Sequence, residues 1–151
     1  MSLNNIMDIQ KFKHVIPIKV RFSDLDAMGH VNNAAYLSFL EEARLAYYHH
    51  VLNMDTNKLE FDAVVARIEI DYLDQIRLGD SVEVYTRTGK IGNKSSDVEH
   101  LIVIVDGQSR KIAARAVTKL VSFDYKKNKT IPVSEKNRSI IEKFESGDRE
   151  V

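Results

Sequence analysis

The sequence predicts an α+β fold, in which an antiparallel sheet of five strands carries one long helix on one face and a short helix follows at the end. The first observation is that apolar residues recur at every second position in five stretches, the period of a half-buried strand. The second is that the period lengthens to that of a helix in two other stretches, one long and one short. Four of the strands follow one another without an intervening helix, which favours α+β over alternating α/β architecture.

The first strand is predicted at residues 14–22, HVIPIKVRF, because apolar side chains alternate along it. Pro17 indicates an edge of the sheet, since proline cannot donate a hydrogen bond to a neighbouring strand. A helix of about four turns follows the loop at residues 24–30, and Asn32 or Asn33 is its predicted N-cap. Its apolar stripe has helical spacing and consists of Tyr36, Phe39, Leu40, Ala43 and Tyr47.

Period two returns after this helix and marks four further strands, which are bounded by residues that favour turns. Gly92 and Asn93 form one such turn, because both residue types tolerate positive φ. The strands are predicted at residues 67–72, 81–91, 95–105 and 110–124. Pro132 ends the sheet region, and Ser134 caps a short closing helix whose apolar side consists of Ile140, Ile141 and Phe144.

Length and composition predict a single domain spanning residues 1–151. Hydrophobic residues make up 44% and charged residues 29% of the chain, as in ordinary globular proteins, and no repeat or linker divides it. Lysine plus arginine and aspartate plus glutamate are balanced at 22 each, so no overall charge favours nucleic acid or an anionic membrane as a partner. The longest aliphatic run, LIVIV at 101–105, is far too short to span a membrane.

Several kinds of chemistry are disfavoured by the residues available. Cysteine is absent, which excludes disulfides and thiolate nucleophiles. The stretch MSLNNIMDIQKFKHV at residues 1–15 lacks an apolar core of signal-peptide length, so we expect a cytoplasmic protein. His49 and His50 are adjacent and would point in different directions on a helix, so we predict no metal site. One helix covers only part of a five-stranded sheet, and the uncovered edge and face predict self-association.

The segment SDLDAMGHVNN, residues 23–33, places Asp24 and Asp26 between a strand and a helix N-terminus. A structural explanation is open, because aspartate and asparagine favour turns and Gly29 permits a tight bend. A catalytic explanation is open as well, because the N–H groups and dipole of a helix N-terminus stabilise a developing oxyanion. A carboxylate there is ionised at neutral pH and can attack an activated carbonyl or orient water, and a thioester with its good leaving group suits such a weak base. Spacing alone does not select the substrate.

Two stretches resemble a known family. VRFSDLDAMGHVNNAAYLSFLEEARLAYY, residues 20–48, resembles the opening motif of the 4-hydroxybenzoyl-CoA thioesterase-like acyl-CoA thioester hydrolases, and IEIDYLDQIRLGDSVEV, residues 68–84, resembles their second motif. The resemblance implies the hotdog fold, in which a curved antiparallel sheet wraps the long helix and two subunits pair into a homodimer or further into a homotetramer. It also implies an active site at the dimer interface, which joins the helix start of one chain to strand residues of the other.

The resemblance assigns roles to individual residues. Asp26 corresponds to the catalytic carboxylate, Asp24 to a structural or helper residue, and the backbone N–H near Asn33 to the donor that polarises the carbonyl. The G-H-V-N-N form is similar to that of aliphatic acyl-CoA and acyl-carrier-protein thioesterases, and His30 there would orient water or the Asp26 carboxylate. Its alternative role is a hydrogen bond within the turn. The expected substrate-binding residues are Gly29, Tyr36 and Arg67, of which Tyr36 by its spacing alone is a core residue.

The resemblance therefore implies hydrolysis of acyl-CoA or acyl-carrier-protein thioesters, with coenzyme A as part of the substrate and no separate cofactor. The phosphates of coenzyme A call for positive charge at the mouth of the site. Two alternatives remain open on the same scaffold: an enoyl-CoA hydratase or dehydratase, and a non-catalytic acyl-CoA-binding protein. The candidate phosphate-binding residues are the cations on the later strands, namely Arg87, Lys90, Lys94, Arg110, Lys111 and Arg115.

Overall fold

The computed structural model describes residues 8–58 and 62–147. The stretch 1–15, in which no signal peptide is expected, includes residues 1–7, which lie outside the described residues. The predicted domain, residues 1–151, also includes residues 59–61 and 148–151, which lie outside them as well. The described residues contain six strands, which form one curved sheet, and two α-helices, of which the longer packs on one face of the sheet. In chain order these are β1 (His14–Ile18), α1 (Asn33–Leu52), β2 (Ala63–Tyr72), β3 (Ser81–Ile91), β4 (Ser95–Asp106), β5 (Ser109–Asp124), β6 (Lys129–Thr130) and α2 (Glu135–Glu145).

The sheet is antiparallel throughout, and its strand order is β1-β3-β4-β5-β2, with the short β6 paired to the end of β5. The predicted five strands are therefore present, and β6 is an addition that the sequence did not predict. β2 pairs with β5 alone among the described strands, so it forms one edge of the sheet. β1 forms the other edge, as Pro17 predicted.

The first strand is shorter than predicted, because it ends at Ile18 rather than at Phe22. A 3-10 turn occupies residues 22–24, and the Asp24 carboxylate accepts a hydrogen bond from the Arg21 N–H at 2.8 Å. This bond uses an amide that a continuing strand would offer to its neighbour. Phe22 is 81% exposed as a result, although its alternation with Val20 predicted a buried side chain.

The long helix buries the predicted stripe. Tyr36, Phe39, Leu40, Ala43 and Tyr47 are all buried, and the first four pack in the main core against β3, β4 and β5. Asn32 is the N-cap, since its side-chain oxygen accepts from the Ala34 N–H at 2.9 Å. The helix ends at Leu52, and the C-cap residue Asn53 adopts the left-handed conformation common at helix C-termini.

The opposite face of the sheet is covered by the segment before β1. Phe12 packs there with Tyr85, Leu101 and Val103 in a second, smaller hydrophobic cluster. The closing helix α2 begins as predicted, with the Ser134 hydroxyl accepting from the Asn137 N–H at 3.1 Å. No helix in residues 8–58 or 62–147 is long and apolar enough to cross a membrane.

Candidate active site

The loop between β1 and α1 folds into a tight turn at residues 26–30. The Asp26 N–H donates to the His30 carbonyl at 2.8 Å, and the Gly29 N–H donates to the Asp26 carbonyl at 3.1 Å. Gly29 has a φ of +82°, which a residue with a Cβ rarely adopts, so a glycine at this position allows the chain to reverse direction. An isolated β-bridge between Leu25 and Val31 closes the turn.

The Asp26 carboxylate is exposed and is oriented by this turn. Its Oδ1 accepts hydrogen bonds from the N–H groups of Met28 at 2.9 Å and of His30 at 3.2 Å. For Oδ2 the structure records no donor among the described residues. Because one oxygen is held by two amides, the other points in a defined direction and stays available to a water molecule or a substrate.

Asp24 has a different environment, although it lies only two residues away. It is 5% exposed, and its two carboxylate oxygens accept from the N–H of Arg21 at 2.8 Å and from its guanidinium at 3.2 Å. Burial alone would raise the pKa of the Asp24 carboxyl, but the hydrogen bonds and the charge of Arg21 outweigh burial and lower it. The Asp24 carbonyl also accepts from the Asn32 N–H at 2.8 Å, so Asp24 anchors the start of α1.

The start of α1 leaves one backbone donor available. The Val31 N–H donates to the Ile76 carbonyl at 2.8 Å, and the Ala34 N–H donates to the Asn32 side chain at 2.9 Å. For the N–H of Asn33, the first residue of the helix, no acceptor is recorded in the part of the chain that the structure describes. Asn33 is exposed, and its amide lies at the positive end of the helix dipole.

The predicted site residues divide into two groups. Asp26, Gly29, His30 and Asn33 lie on the same loop and helix start. His30 contacts Asp26 through its backbone N–H and carbonyl, and its imidazole has no recorded hydrogen bond among residues 8–58 and 62–147. Tyr36 belongs to the core and is 3% exposed, with its hydroxyl donating to the Asp74 carbonyl at 3.2 Å.

Arg67 lies away from this loop within the single chain. It is exposed on the edge strand β2, and its guanidinium forms an ion pair with Glu69 at 2.5 Å. The far end of the same strand does reach the site, because the Tyr72 hydroxyl donates to the Asn33 carbonyl at 3.0 Å. The Tyr72 ring also packs edge-on against Tyr36, with their centroids 5.0 Å apart.

Most of the candidate phosphate-binding cations already have partners within the chain. Arg87 pairs with Glu99 at 2.6 Å. Lys94 is 3.4 Å from the Thr130 hydroxyl. Arg110, Lys111 and Arg115 form ion pairs with Glu83, Asp74 and Asp71 respectively. Lys90 is exposed, and no ion pair is recorded for it among the described residues.

Exposed apolar side chains lie on the segments that border the helix start, a feature that the sequence did not predict. Met28 is in the turn itself, Phe22 precedes it, and Tyr72, Leu73 and Leu78 lie in or next to the β2–β3 connection. That connection reaches the turn through a β-bridge between His30 and Arg77. Large apolar groups exposed in this way are typical of a surface that contacts a ligand or another chain.

A cavity of about 380 Å³ lies under the carboxyl-terminal half of α1. Its walls come from α1, α2 and the paired strands β2 and β5, and most of its lining residues are apolar. The sequence offered no signal for it, because the space arises only where two helices and a sheet edge meet. The described residues contain no group of three or more histidine, cysteine, aspartate or glutamate side chains placed to hold a metal ion.

Comparison with known proteins identifies the family. The model of the thioesterase-like superfamily matches residues 20–141. The chain belongs to the thioesterase-like superfamily. This membership agrees with the predicted family of acyl-CoA thioester hydrolases, and the thioesterase class of enzyme predicted from the sequence is thereby confirmed at the level of the family.

Two relatives of known sequence and one solved structure show how far the likeness extends. The chain is 32% identical to the long-chain acyl-CoA thioesterase FadM of Escherichia coli over 131 residues, which cover 84% of this chain and 96% of FadM. It is 32% identical to the uncharacterised protein YsmA of Bacillus subtilis over 91 residues, which span only 61% of YsmA. A thioesterase from Thermus thermophilus, solved with coenzyme A and zinc, is 35% identical and superimposes with a TM-score of 0.79 over 93% of this chain and 98% of its own. The fold of this thioesterase-family chain is therefore the predicted hotdog fold.

Proposed function

We propose that the chain hydrolyses acyl-CoA or acyl-carrier-protein thioesters to a free acid and a thiol, with Asp26 as the nucleophile or general base. The observation that carries the proposal is the geometry of one loop. Asp26 keeps one oxygen fixed by two amides and the other available, and the same loop leads to the N–H of Asn33 at the positive end of α1, which has no recorded acceptor in the described part of the chain. The name of FadM, a long-chain acyl-CoA thioesterase, supports the substrate class.

The reaction follows from these groups. Either Asp26 Oδ2 adds to the thioester carbonyl carbon, or Asp26 removes a proton from a water molecule that adds instead. The carbonyl oxygen gains negative charge, which the Asn33 N–H and the helix dipole stabilise. The carbon–sulfur bond then breaks, and the thiolate leaves and takes up a proton. After direct attack, water must hydrolyse the mixed anhydride between the acyl group and Asp26.

The remaining predicted residues support this chemistry in the proposal. Gly29, with its φ of +82°, allows the tight turn that orients Asp26. The His30 imidazole, which has no recorded partner among the described residues, orients the attacking water. Tyr36 contributes indirectly. Its ring packs against Tyr72 and fixes its position, and the Tyr72 hydroxyl donates to the carbonyl of Asn33, the first helical residue.

We propose further that the working molecule is a homodimer or a dimer of dimers. β2 leaves its outer edge without a strand partner among the described residues, and it exposes Val65 and Tyr72. Tyr72, at the end of β2, bonds the helix start. If two β2 strands pair antiparallel around a twofold axis, the helix start of one chain comes next to the beginning of β2 in the other. Arg67, one of the expected substrate-binding residues, would then lie at the interface.

Replacement of the carboxylate tests the proposal directly. Asp26→Asn keeps an oxygen that accepts from the two loop amides, so the turn should persist while the negative charge is lost. We expect kcat for acyl-CoA hydrolysis to fall about 10²- to 10⁴-fold with little change in KM. The assay follows free thiol with a chromogenic reagent over acyl-CoA substrates of increasing chain length. Asp106→Asn, an exposed aspartate at the β4–β5 turn, is the matched control and should retain full activity.

Other outcomes would contradict the proposal. A wild-type rate no greater than that of Asp26→Asn on every substrate would favour a non-catalytic acyl-CoA-binding protein. A hydrated product without free thiol would favour a hydratase. In single-turnover hydrolysis in ¹⁸O-labelled water, label in Asp26 would identify direct attack by the carboxylate, followed by addition of water to the Asp26 carbonyl of the anhydride.

A further inference from the structure

The cavity under α1 has the size and the walls of a ligand site. Its volume of about 380 Å³ lies in the range of small-molecule pockets, roughly 300–1,000 Å³. Apolar side chains form most of its wall, and polar and charged groups interrupt them, among them the exposed carboxylates of Glu41 and Asp62. Representative lining residues are Leu45, Val64, Leu120 and Ile141 on the apolar side and Ser96 and Ser122 on the polar side.

One charged residue in this wall has no charged partner. Arg44 lines the cavity and is only 8% exposed. Its one recorded hydrogen bond is a long one of 3.4 Å from Nη1 to the hydroxyl of Thr118. No carboxylate lies within ion-pair distance of its guanidinium among residues 8–58 and 62–147, and Glu41, one helical turn earlier, interacts with it only at longer range.

This arrangement is unfavourable for the chain alone. A guanidinium removed from water loses its hydration, and buried charges are normally paired or fully hydrogen-bonded. Burial lowers the pKa of Arg44, and the charge of Glu41 does not fully offset that effect. The thioesterase chemistry proposed above does not use this residue, because the loop that carries Asp26 precedes the start of α1, and that start is eleven residues earlier than Arg44. A negatively charged group inside the cavity would supply the missing partner.

We propose that the cavity binds an aliphatic carboxylate, whose chain packs against the apolar wall and whose charged end pairs with Arg44. The planar fork of donors on a guanidinium matches the two oxygens of a carboxylate. Aliphatic side chains exclude water from the chain of the ligand. The hydroxyls of Ser96 and Ser122 also lie in the wall.

Such a carboxylate has two possible sources. It is either a free fatty acid, the kind of product that thioester hydrolysis releases, or the distal carboxylate of an acyl group that carries two acid functions. The second source rests on the proposed function and on the dimer, in which the helix start of the partner approaches the beginning of β2 at the cavity wall. The first source requires neither.

Calorimetric titration of the full-length protein tests binding without any catalytic step. The probes are octanoate and octan-1-ol, which share a chain length and differ in charge. We expect octanoate to bind at least 10-fold more tightly than octan-1-ol to the wild type, and the ratio to fall to about one in Arg44→Met. Arg44→Lys should restore part of the preference for the acid. Lys136→Met, which removes an exposed cation from α2, should leave the ratio unchanged.

Thermal unfolding in the absence of ligand checks whether Arg44 is only structural. Because the wild type buries an unpaired charge, Arg44→Met should unfold at the same or a higher temperature. If the variant is instead too unstable to titrate, the comparison of the two probes on the wild type still decides. Equal affinity for octanoate and octan-1-ol, or no binding of either, would overturn the proposal.

Hydrolysis distinguishes the two sources. The substrates are octanoyl-CoA and its analogue with a carboxylate at carbon 8. A higher kcat/KM for the analogue, lost in Arg44→Met, would identify the distal carboxylate as the ligand. Inhibition of octanoyl-CoA hydrolysis by octanoate, weakened in the same variant, would identify the free acid. Octanoate binding together with a complete lack of hydrolysis would refute the proposed function and leave the fatty-acid site standing.

Discussion

Asp24 and Asp26 show how local hydrogen bonding separates two identical side chains. Asp24 is buried and bonded to Arg21, and its carbonyl anchors the helix, whereas Asp26 is exposed with one oxygen held by loop amides. The sequence predicted that the second acid would be the reactive one only through the family resemblance. Their spacing in the sequence did not distinguish the two aspartates. The alternation of strand residues does not continue into the turn, and the hydrogen bonds of a turn cannot be read from its sequence.

Buried polar residues were the least predictable at this scale. His100 lies between Glu99 and Leu101 in β4, yet it is fully buried on the helix-facing side, where its Nδ1 lies 3.0 Å from the Thr86 hydroxyl. Arg44 is similar: it lies beside Ala43 in the helix, and a charged residue at that position is normally assigned to solvent. Whether such a residue is buried depends on how α2 and β2 pack around it, which no local pattern contains.

His100 leads to a prediction about pH. Burial, and to a lesser extent the charge of Arg44, lowers the pKa of His100 to about 3 in the folded chain, against about 6.5 for an unperturbed histidine. The unfolded chain therefore binds a proton more readily, so the stability due to neutral His100 is complete above pH 6.5 and is lost as the pH falls towards 3. We expect this residue to contribute about 1.4 kcal/mol per pH unit to the unfolding free energy between about pH 6 and 4. Urea denaturation of the wild type and of His100→Gln across that range measures the difference in slope, and equal slopes would contradict the prediction.

The elements themselves were predicted well, and the errors have identifiable causes. The stripe of α1 and the strands β3 and β5 follow from side-chain period, whereas β4 is buried on both faces at residues 97–103. β2 starts at Ala63, four residues before the predicted start. A register shift between Val65 and Arg67 interrupts the alternation of buried and exposed side chains, so the sequence pattern did not reveal the first residues of this strand. β6 has only two residues, too few for any period to be recognised.

The start of α1 allows its backbone donor to be tested separately from its side chain. Asn33 is the first helical residue, where proline is well tolerated because that N–H makes no helical hydrogen bond. The preceding Asn32 has φ −59° and ψ 139°, which is compatible with a following proline. Asn33→Pro should therefore keep the helix and lower kcat about 10²- to 10³-fold, the usual effect of losing one oxyanion donor.

Asn33→Ala is the matched control for that experiment, because it removes the side chain and keeps the N–H. Its kcat should stay near the wild-type value. Circular dichroism and thermal unfolding verify that both variants retain α1. A proline variant that folds normally and hydrolyses acyl-CoA at the wild-type rate would show that this amide does not polarise the carbonyl.

At the scale of the whole molecule, the fold was predictable from the sequence. The homodimer or dimer of dimers is a proposal. Period and order of elements indicated an antiparallel sheet carrying one helix, and the comparison with the Thermus thermophilus thioesterase confirms the hotdog fold. The sequence located the candidate active site on the loop between β1 and α1, but it did not predict the surroundings of that loop. Its exposed apolar border and the cavity under α1 depend on how separate elements meet in space, and residues such as Met28 and Leu78 carry no distinguishing pattern in the sequence.

The edge strand supplies a test of the proposed dimer. Val65 is exposed on β2 and would lie in the strand pair that joins the two chains, so Val65→Lys places a charge in an apolar contact. We expect the wild type to sediment at two or four times the mass of one chain, and Val65→Lys to dissociate at a concentration at least 10-fold higher. Activity per chain should fall on dilution in parallel with dissociation. A fully active wild-type monomer would contradict a shared site.

Two backbone hydrogen bonds hold the residues that precede α1. The Val31 N–H donates to the carbonyl of Ile76 in the β2–β3 connection, and the Asn32 N–H donates to the carbonyl of Asp24 in the β1–α1 loop. The loop that carries Asp26 therefore cannot detach on its own without breaking the contact to the distant Ile76 and the bond that ties the helix start to Asp24. Its opening is tied to the cooperative melting of the sheet, rather than to the fast local fluctuations typical of surface loops. The molecule would thus retain a formed site up to the temperature at which the entire domain unfolds.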